Sequence, residues 1–226
     1  MINITSAIQH YNQEISGYPA AKLIAISKTK PAEDLMVAYQ HGQRIFGENK
    51  VQEMVEKHEG LPKDIQWHMV GHLQRNKVKY IAPFVDLIHS VDSPRLLLAI
   101  NKEATKANRI IDVLLQVHIA TETTKFGFSP SELVETMNDL PNINVANVRI
   151  VGLMGMATNT ENKETVEEEF KALKTLFEQI KTTTHHGSVH MAELSMGMSG
   201  DYKEALENGS TMIRIGSAIF GERNYV

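Results

Sequence analysis

Eight short runs rich in β-branched and apolar residues recur along this chain, and nearly every one is followed by a stretch with helical character. The runs are AKLIAIS (Ala21 to Ser27), RIF (Arg44 to Phe46), IQWHMV (Ile65 to Val70), DLIHSV (Asp86 to Val91), IDVLLQVHI (Ile111 to Ile119), RIVGLM (Arg149 to Met154), VHMAEL (Val189 to Leu194) and TMIRI (Thr211 to Ile215). Several are continuously apolar, the pattern of strands buried on both faces. Pro31 and Ser93-Pro94 open helices at the first-turn position where proline is tolerated. Ser129-Pro130-Ser131-Glu132 reads as a capping box. Val166, Phe170, Leu173, Phe177 and Ile180 fall on one stripe of a helix from Glu164 to Ile180.

Strands alternating with helices argue for a parallel sheet. Eight such units in 226 residues argue for a closed (β/α)8 barrel, an α/β fold forming one domain over residues 1–226. The last unit is short, and the helix-like N-terminal segment carrying Ile8, Tyr11 and Ile15 is expected to fill the vacant place in the outer ring. The rival open, doubly wound sheet usually has a Gly-rich turn after its first strand. Here that strand leads into SKTKP, without glycine.

Composition narrows the function. With Lys+Arg 23 and Asp+Glu 27 the formal charge is −4, which argues against nonspecific attraction to nucleic acid or anionic membrane. The chain has no cysteine, so disulfides, Cys-ligated metal and a thiol nucleophile are excluded. No stretch approaches the roughly 20 apolar residues of a membrane helix, and the N-terminus does not read as a secretory signal. A soluble, cytoplasmic protein is the expectation.

In a barrel of this kind the active site lies at the carboxyl ends of the strands, often with a phosphate site in the loops after strands seven and eight. Those loops are SMGMSGD (Ser195 to Asp201) and RIGSAIFGE (Arg214 to Glu222). Small residues let backbone approach an anion, and a helix start offers unpaired N–H groups. Ser199 is placed as helix N-cap and phosphate donor; Gly216 and Ser217 supply donors from the other loop. Parity in the last strand sets Met212, Arg214 and Gly216 on one face and Thr211, Ile213 and Ile215 on the other. If the latter face the helices, Arg214 points into the barrel, where it needs a partner: a ligand, or an internal salt bridge to Glu48 or Glu193. In strand one Ile24 and Ile26 read as barrel interior, which brings Lys28 out at the carboxyl mouth. A partly desolvated lysine near a second cation has a lowered pKa and can form a Schiff base with an aldehyde. Lys30, at a helix start, is the weaker candidate.

Lysine plus a phosphate cradle fits a pyridoxal 5'-phosphate (PLP) site or a Schiff-base sugar-phosphate aldolase without PLP, and these residues alone do not choose. Other residues carry less. His68 and His72 are expected to diverge across Gly71 rather than bind zinc. His185 and His186 read as a solvated loop. Met196 and Met198 are placed to line a planar cofactor. Asn49 is placed to hydrogen-bond a ligand, or Glu48 to cap the next helix.

Taken together, LIAISKTKP, FGENKVQE, WHMVGHLQRNK, LLQVHIATETTKFGF, VGLMGMA, LSMGMSGDYKEAL and MIRIGSAIFGER resemble the pyridoxal phosphate homeostasis protein family, also described as proline-synthase co-transcribed homologues. The resemblance covers nearly the whole chain, and LSMGMSGD with RIGSAIFG is its most specific part. It implies the barrel of the alanine racemase N-terminal domain. Lys28 would carry PLP as an aldimine, Ser199, Gly216 and Ser217 would hold the phosphate, and Arg214 would face the pyridine nitrogen. Met69 stands where the family usually has an aromatic after Trp-His, and Arg75 where a polar residue often precedes Asn-Lys; neither touches the core of the PLP assignment, and they leave the shape of the entrance open.

Alanine racemases carry a second, β-rich domain with a tyrosine base, and this chain ends at Val226 without length for one. Two-base racemisation needs a second proton carrier, and an arginine opposite the ring nitrogen disfavours its protonation. The expected function is therefore intracellular PLP homeostasis: the protein sequesters, buffers or supplies PLP, with PLP-dependent apo-enzymes as recipients, as a monomer without robust turnover. A low-activity amino-acid racemase is the first alternative and the aldolase the second.

Overall fold

The computed structural model describes residues 3–121 and 126–222. The strands are β1 (Lys22–Ile26), β2 (Ile45–Glu48), β3 (Gln66–Met69), β4 (Leu87–Val91), β5 (Ile111–Val117), β6 (Val148–Gly155), β7 (Val189–Met198) and β8 (Met212–Ile215). All pair in parallel with their sequence neighbours, and β8 pairs with β1 to close the barrel. The open-sheet rival is thereby excluded. The helices are α1 (Ile4–Ile15), α2 (Ala32–Gln40), α3 (Val51–Gly60), α4 (Val78–Ile81), α5 (Pro94–Lys106), α6 (Pro130–Asp139), α7 (Lys163–Thr183), α8 (Tyr202–Glu207) and α9 (Ser217–Phe220).

Local chemistry explains the boundaries. Ser129 and Glu132 form the expected capping box at α6, and Ser93 caps α5 with Pro94 in its first turn. Pro31 is the cap residue of α2 rather than its first helical residue. The α7 stripe Val166, Phe170, Leu173, Phe177 and Ile180 is buried. The four-residue α9 leaves part of the outer ring to α1. There Tyr11 meets Tyr202 edge to face with ring centroids 5.3 Å apart, and the Tyr202 hydroxyl donates to Glu14 at 3.0 Å.

Strand parity divides the apolar side chains into two layers. Phe46, Trp67, Ile88, Val113, Ile213 and Ile215 pack between strands and helices. Ile24, Ile26, Leu87, Leu114, Val151, Met154 and Met212 form a smaller cluster inside the barrel. The inward placement of Ile24, Ile26 and Met212 agrees with the parity argument, and Arg214 follows Met212 on the inward face. Of the family-like segments, LLQVHIATETTKFGF and MIRIGSAIFGER run partly outside the described residues, at positions 122–125 and 223.

Candidate functional site

A cavity of about 350 Å³ opens at the carboxyl mouth of the barrel, within the roughly 300–1,000 Å³ of small-molecule sites. Lys28, Asn49, Ser199, Arg214, Gly216 and Ser217 all line it, as do Lys30, Met154, Met156 and Met198. Residues from β1, β6, β7 and β8 and from the segments after β1, β2, β3, β6, β7 and β8 thus meet in one space. Its described lining holds three cations, Lys28, Lys30 and Arg214, and no carboxylate.

Lys28 leaves β1 between two anchored neighbours. The Ser27 carbonyl accepts from the Lys57 ammonium at 2.7 Å, and the Ser27 hydroxyl donates to Glu48 Oε1 at 2.6 Å. The Thr29 N–H donates to Glu53 Oε1 at 2.5 Å, and Thr29 sits at a φ of 63°, in the left-handed region. Lys57 Nζ joins these groups by donating to both Glu48 and Glu53 at 2.7 Å. Its three ammonium donors therefore meet three acceptors. Burial pushes the Glu48 carboxyl above its ordinary range, against the opposing pull of Lys57 and Ser27. Lys30 also lines the cavity, and its ammonium donates to the Glu222 carbonyl at 2.8 Å.

Glu48 faces the helix layer because Gly47 takes the inward position of β2, so it neither caps α3, whose cap residue is Lys50, nor reaches Arg214. Asn49 follows at the mouth. A Cβ on Gly71 would lie 2.4 Å from the Asn49 carbonyl oxygen and 2.7 Å from its Cα, so glycine there lets the two segments meet.

Two further expectations need correction. Ser199 lines the cavity but is not the N-cap of α8. Asp201 occupies that place, and its carboxylate accepts from the Met198 N–H at 2.5 Å, closing the turn one residue pair later than the spacing suggests. Met196 is fully buried in the layer between strands and helices and does not line the cavity; Met198, on the other side of Gly197, does.

Arg214 is 5% exposed and makes no salt bridge to Glu48 or Glu193 among the described residues. Nη1 donates to Ser195 Oγ at 2.7 Å and Nη2 to the Gly155 carbonyl at 3.0 Å. Glu193 pairs with Lys22 at the opposite mouth, and Glu48 with Lys57. Burial lowers the Arg214 pKa to about 10, with Asp201 opposing, so the guanidinium stays a cation near neutral pH.

His68 and His72 do diverge. His68 lies inside the barrel with Nδ1 3.0 Å from His89 Nε2, whereas His72 pairs with Asp92 at 3.2 Å and stacks on Phe126. No group of three potential metal ligands occurs among the described residues. His185 is exposed, and His186 Nδ1 accepts from the Ser188 N–H at 3.2 Å. Sequence reasoning missed His89, Ser195 and the Lys57 cluster. Parity held the signal for the first two, since His89 shares the inward face of β4 with Leu87, and Ser195 that of β7 with Glu193.

Comparison with known proteins places this geometry. The family model described as the alanine racemase N-terminal domain matches residues 3–224. The pyridoxal phosphate homeostasis protein of Aquifex aeolicus is 42% identical over 213 residues, covering 92% of this chain and 90% of that one. The structure of PipY from Synechococcus elongatus with PLP bound superposes with a TM-score of 0.85 at 32% identity, over 97% of this chain and all of that one. Alanine racemase from Bartonella henselae, at 15% identity and a TM-score of 0.72, shares the fold over 99% of this chain and 61% of its own. The fold is that of an alanine-racemase-type barrel. Within that class, the chain belongs to the pyridoxal phosphate homeostasis protein family.

Proposed function

We propose that this protein binds PLP in the carboxyl-mouth cavity and serves intracellular PLP homeostasis, holding the cofactor and releasing it to PLP-dependent apo-enzymes without robust turnover of its own. The observation that carries this reading is the convergence of Lys28, Arg214 and the Ser199 and Gly216–Ser217 loops on one cavity with no carboxylate among its described lining residues. The donor set fits the cofactor. Ser199, Gly216 and Ser217 would hold a phosphate, with hydroxyls and with N–H groups that lead the short α9 and have no partner inside it. Ile26, Val70 and Met154 give apolar surface for a planar ring, Asn49 offers a polar contact, and Lys28 offers the amine.

When bound, PLP supplies an aldehyde carbon that joins an amine through a carbon–nitrogen double bond with loss of water. The chain's own residues position and shield that group. Arg214 is a permanent donor that would offer a hydrogen bond to a ring nitrogen and disfavour its protonation. Besides the three cations, the described lining has no titratable side chain, and Lys30 is bound to a backbone carbonyl. Among the described residues the cavity thus shows no second proton carrier of the kind racemisation needs, which supports retention over turnover.

The test is the absorption spectrum of purified protein incubated with PLP, before and after borohydride, with Lys28→Ala beside it. A yellow species fixed by borohydride to the peptide containing Lys28 is the expected result. Protein that stays colourless with PLP overturns the reading. Rapid α-proton exchange of alanine or serine that depends on Lys28 would replace the carrier role with catalysis.

A further inference from the structure

Arg214 is the inner end of a polar chain that runs through the barrel interior. Ser195 Oγ lies 3.0 Å from His89 Nδ1, and His89 Nε2 lies 3.0 Å from His68 Nδ1. Ser195 and His89 are fully buried, and His68 is 5% exposed beside a second cavity at the opposite mouth.

Hydrogen-bond bookkeeping sets the direction of this chain. A guanidinium only donates, so Ser195 Oγ accepts from Arg214. The buried Ser195 hydroxyl hydrogen needs an acceptor, and its other partner among the described residues is His89 Nδ1. His89 therefore accepts at Nδ1, and when neutral carries its hydrogen on Nε2, which donates to His68 Nδ1. His68 in turn carries its hydrogen on Nε2. The reversed order would leave the Ser195 hydroxyl hydrogen buried without an acceptor. Burial keeps both rings neutral, with His68 lowered to about 3 and His89 well below its ordinary value.

We propose that His89 is a positioning residue for Arg214: acting through Ser195, it fixes the orientation of the guanidinium at the base of the cavity without neutralising its charge. A carboxylate in that place would orient the arginine equally well but would compensate the cation and weaken its use toward a ligand. A neutral imidazole polarised through a serine orients it and leaves the charge directed at the cavity. This role rests on the PLP reading only for the identity of the ligand.

The test separates the two. His89→Leu removes the acceptor, whereas His89→Asn keeps one near the Nδ1 position. In ¹⁵N-labelled protein without added ligand, His89 and His68 are expected with hydrogen on Nε2, and the Arg214 Nη signals are expected to be resolved because guanidinium rotation is restrained. Those signals should merge in His89→Leu and stay resolved in His89→Asn. PLP affinity should fall about tenfold in His89→Leu, much less in His89→Asn, and no further when Ser195→Ala is added to His89→Leu. Hydrogen on His89 Nδ1, unchanged arginine signals in a folded His89→Leu, or equal effects of Leu and Asn would each overturn the proposal. If His89→Leu does not fold, the tautomers and the arginine signals of Ser195→Ala decide in its place. Wild-type protein that fails to bind PLP refutes the functional reading, while the arginine signals still judge the chain.

Discussion

The two mouths of the barrel are built from the same eight strands, yet they treat charge in opposite ways. The amino-terminal mouth holds a cavity lined by Lys22 and Arg149 together with Asp86, Asp112 and Glu193. Its cations are matched: Lys22 pairs with Glu193, and Arg149 grips Asp112 through two hydrogen bonds. The carboxyl-mouth cavity has cations and no described carboxylate in its lining. Cations paired with carboxylates serve stability, whereas a cavity with cations and no described carboxylate is suited to an anion. Two carboxylates near the second mouth, Glu48 and Glu53, sit behind Lys28 and tie down the backbone on both sides of it.

This contrast breaks most sharply at Lys28. Lys28→Ala is expected to abolish the borohydride-fixable colour completely, as read by the spectrum and by peptide mapping. Next comes the cluster behind it. Lys57→Met leaves Glu48 and Glu53 without their shared cation, at sites where Lys57 is 8% and Glu48 0% exposed. Unfolding by urea should show a loss of about 3 kcal/mol. PLP should also dissociate faster, because Ser27 and Thr29 lose their anchors. Destabilisation with unchanged dissociation would reduce the cluster to a purely structural element.

The interior between the mouths has its own pH signature. His68 is held near a pKa of about 3 in the folded state against an ordinary 6.5. Unfolding therefore takes up a proton between these values, and stability present above pH 6.5 is lost as pH falls toward 3. Between pH 7 and pH 5 this one group accounts for about 2 kcal/mol, and His89 adds in the same direction. Urea midpoints measured at the two pH values should converge in His68→Leu. An unchanged pH slope in that variant would assign the acid sensitivity to other groups.

What could be read from the sequence follows from how local each signal was. The eight strands, the α6 capping box and the inward Arg214 were legible because alternation and parity are short-range properties of strands. The six proposed ligand residues meet at one cavity for the same reason: barrel topology brings every strand's carboxyl end to one mouth. Partner choice was not legible. Arg214 could have paired with Glu48 or Glu193 by residue type, but Gly47 turns Glu48 outward to Lys57, and Glu193 lies near the amino-terminal mouth beside Lys22. The turn at Asp201 was misplaced because Ser199 and Asp201 are both good cap residues, and closure by the Met198 N–H selects between them. His89 and Ser195 lay inside buried runs that read as uniformly strand-like, and only pairing across β3, β4, β7 and β8 gives them a common purpose.

The smallest expected effect tests the comparison from its quiet side. Arg149→Ala removes a bidentate pair whose side chains are 51% and 27% exposed. Water can solvate the Asp112 left behind, so the loss in stability should stay below about 1 kcal/mol and shrink further in high salt. PLP affinity should not change, because the pair lies at the opposite mouth from the cavity and its charges are screened by water. A marked change in affinity would show that the two mouths communicate. His68, which lines the amino-terminal cavity and begins the chain to Arg214, would then be the route to examine by combining Arg149→Ala with His89→Leu and asking whether the two effects add.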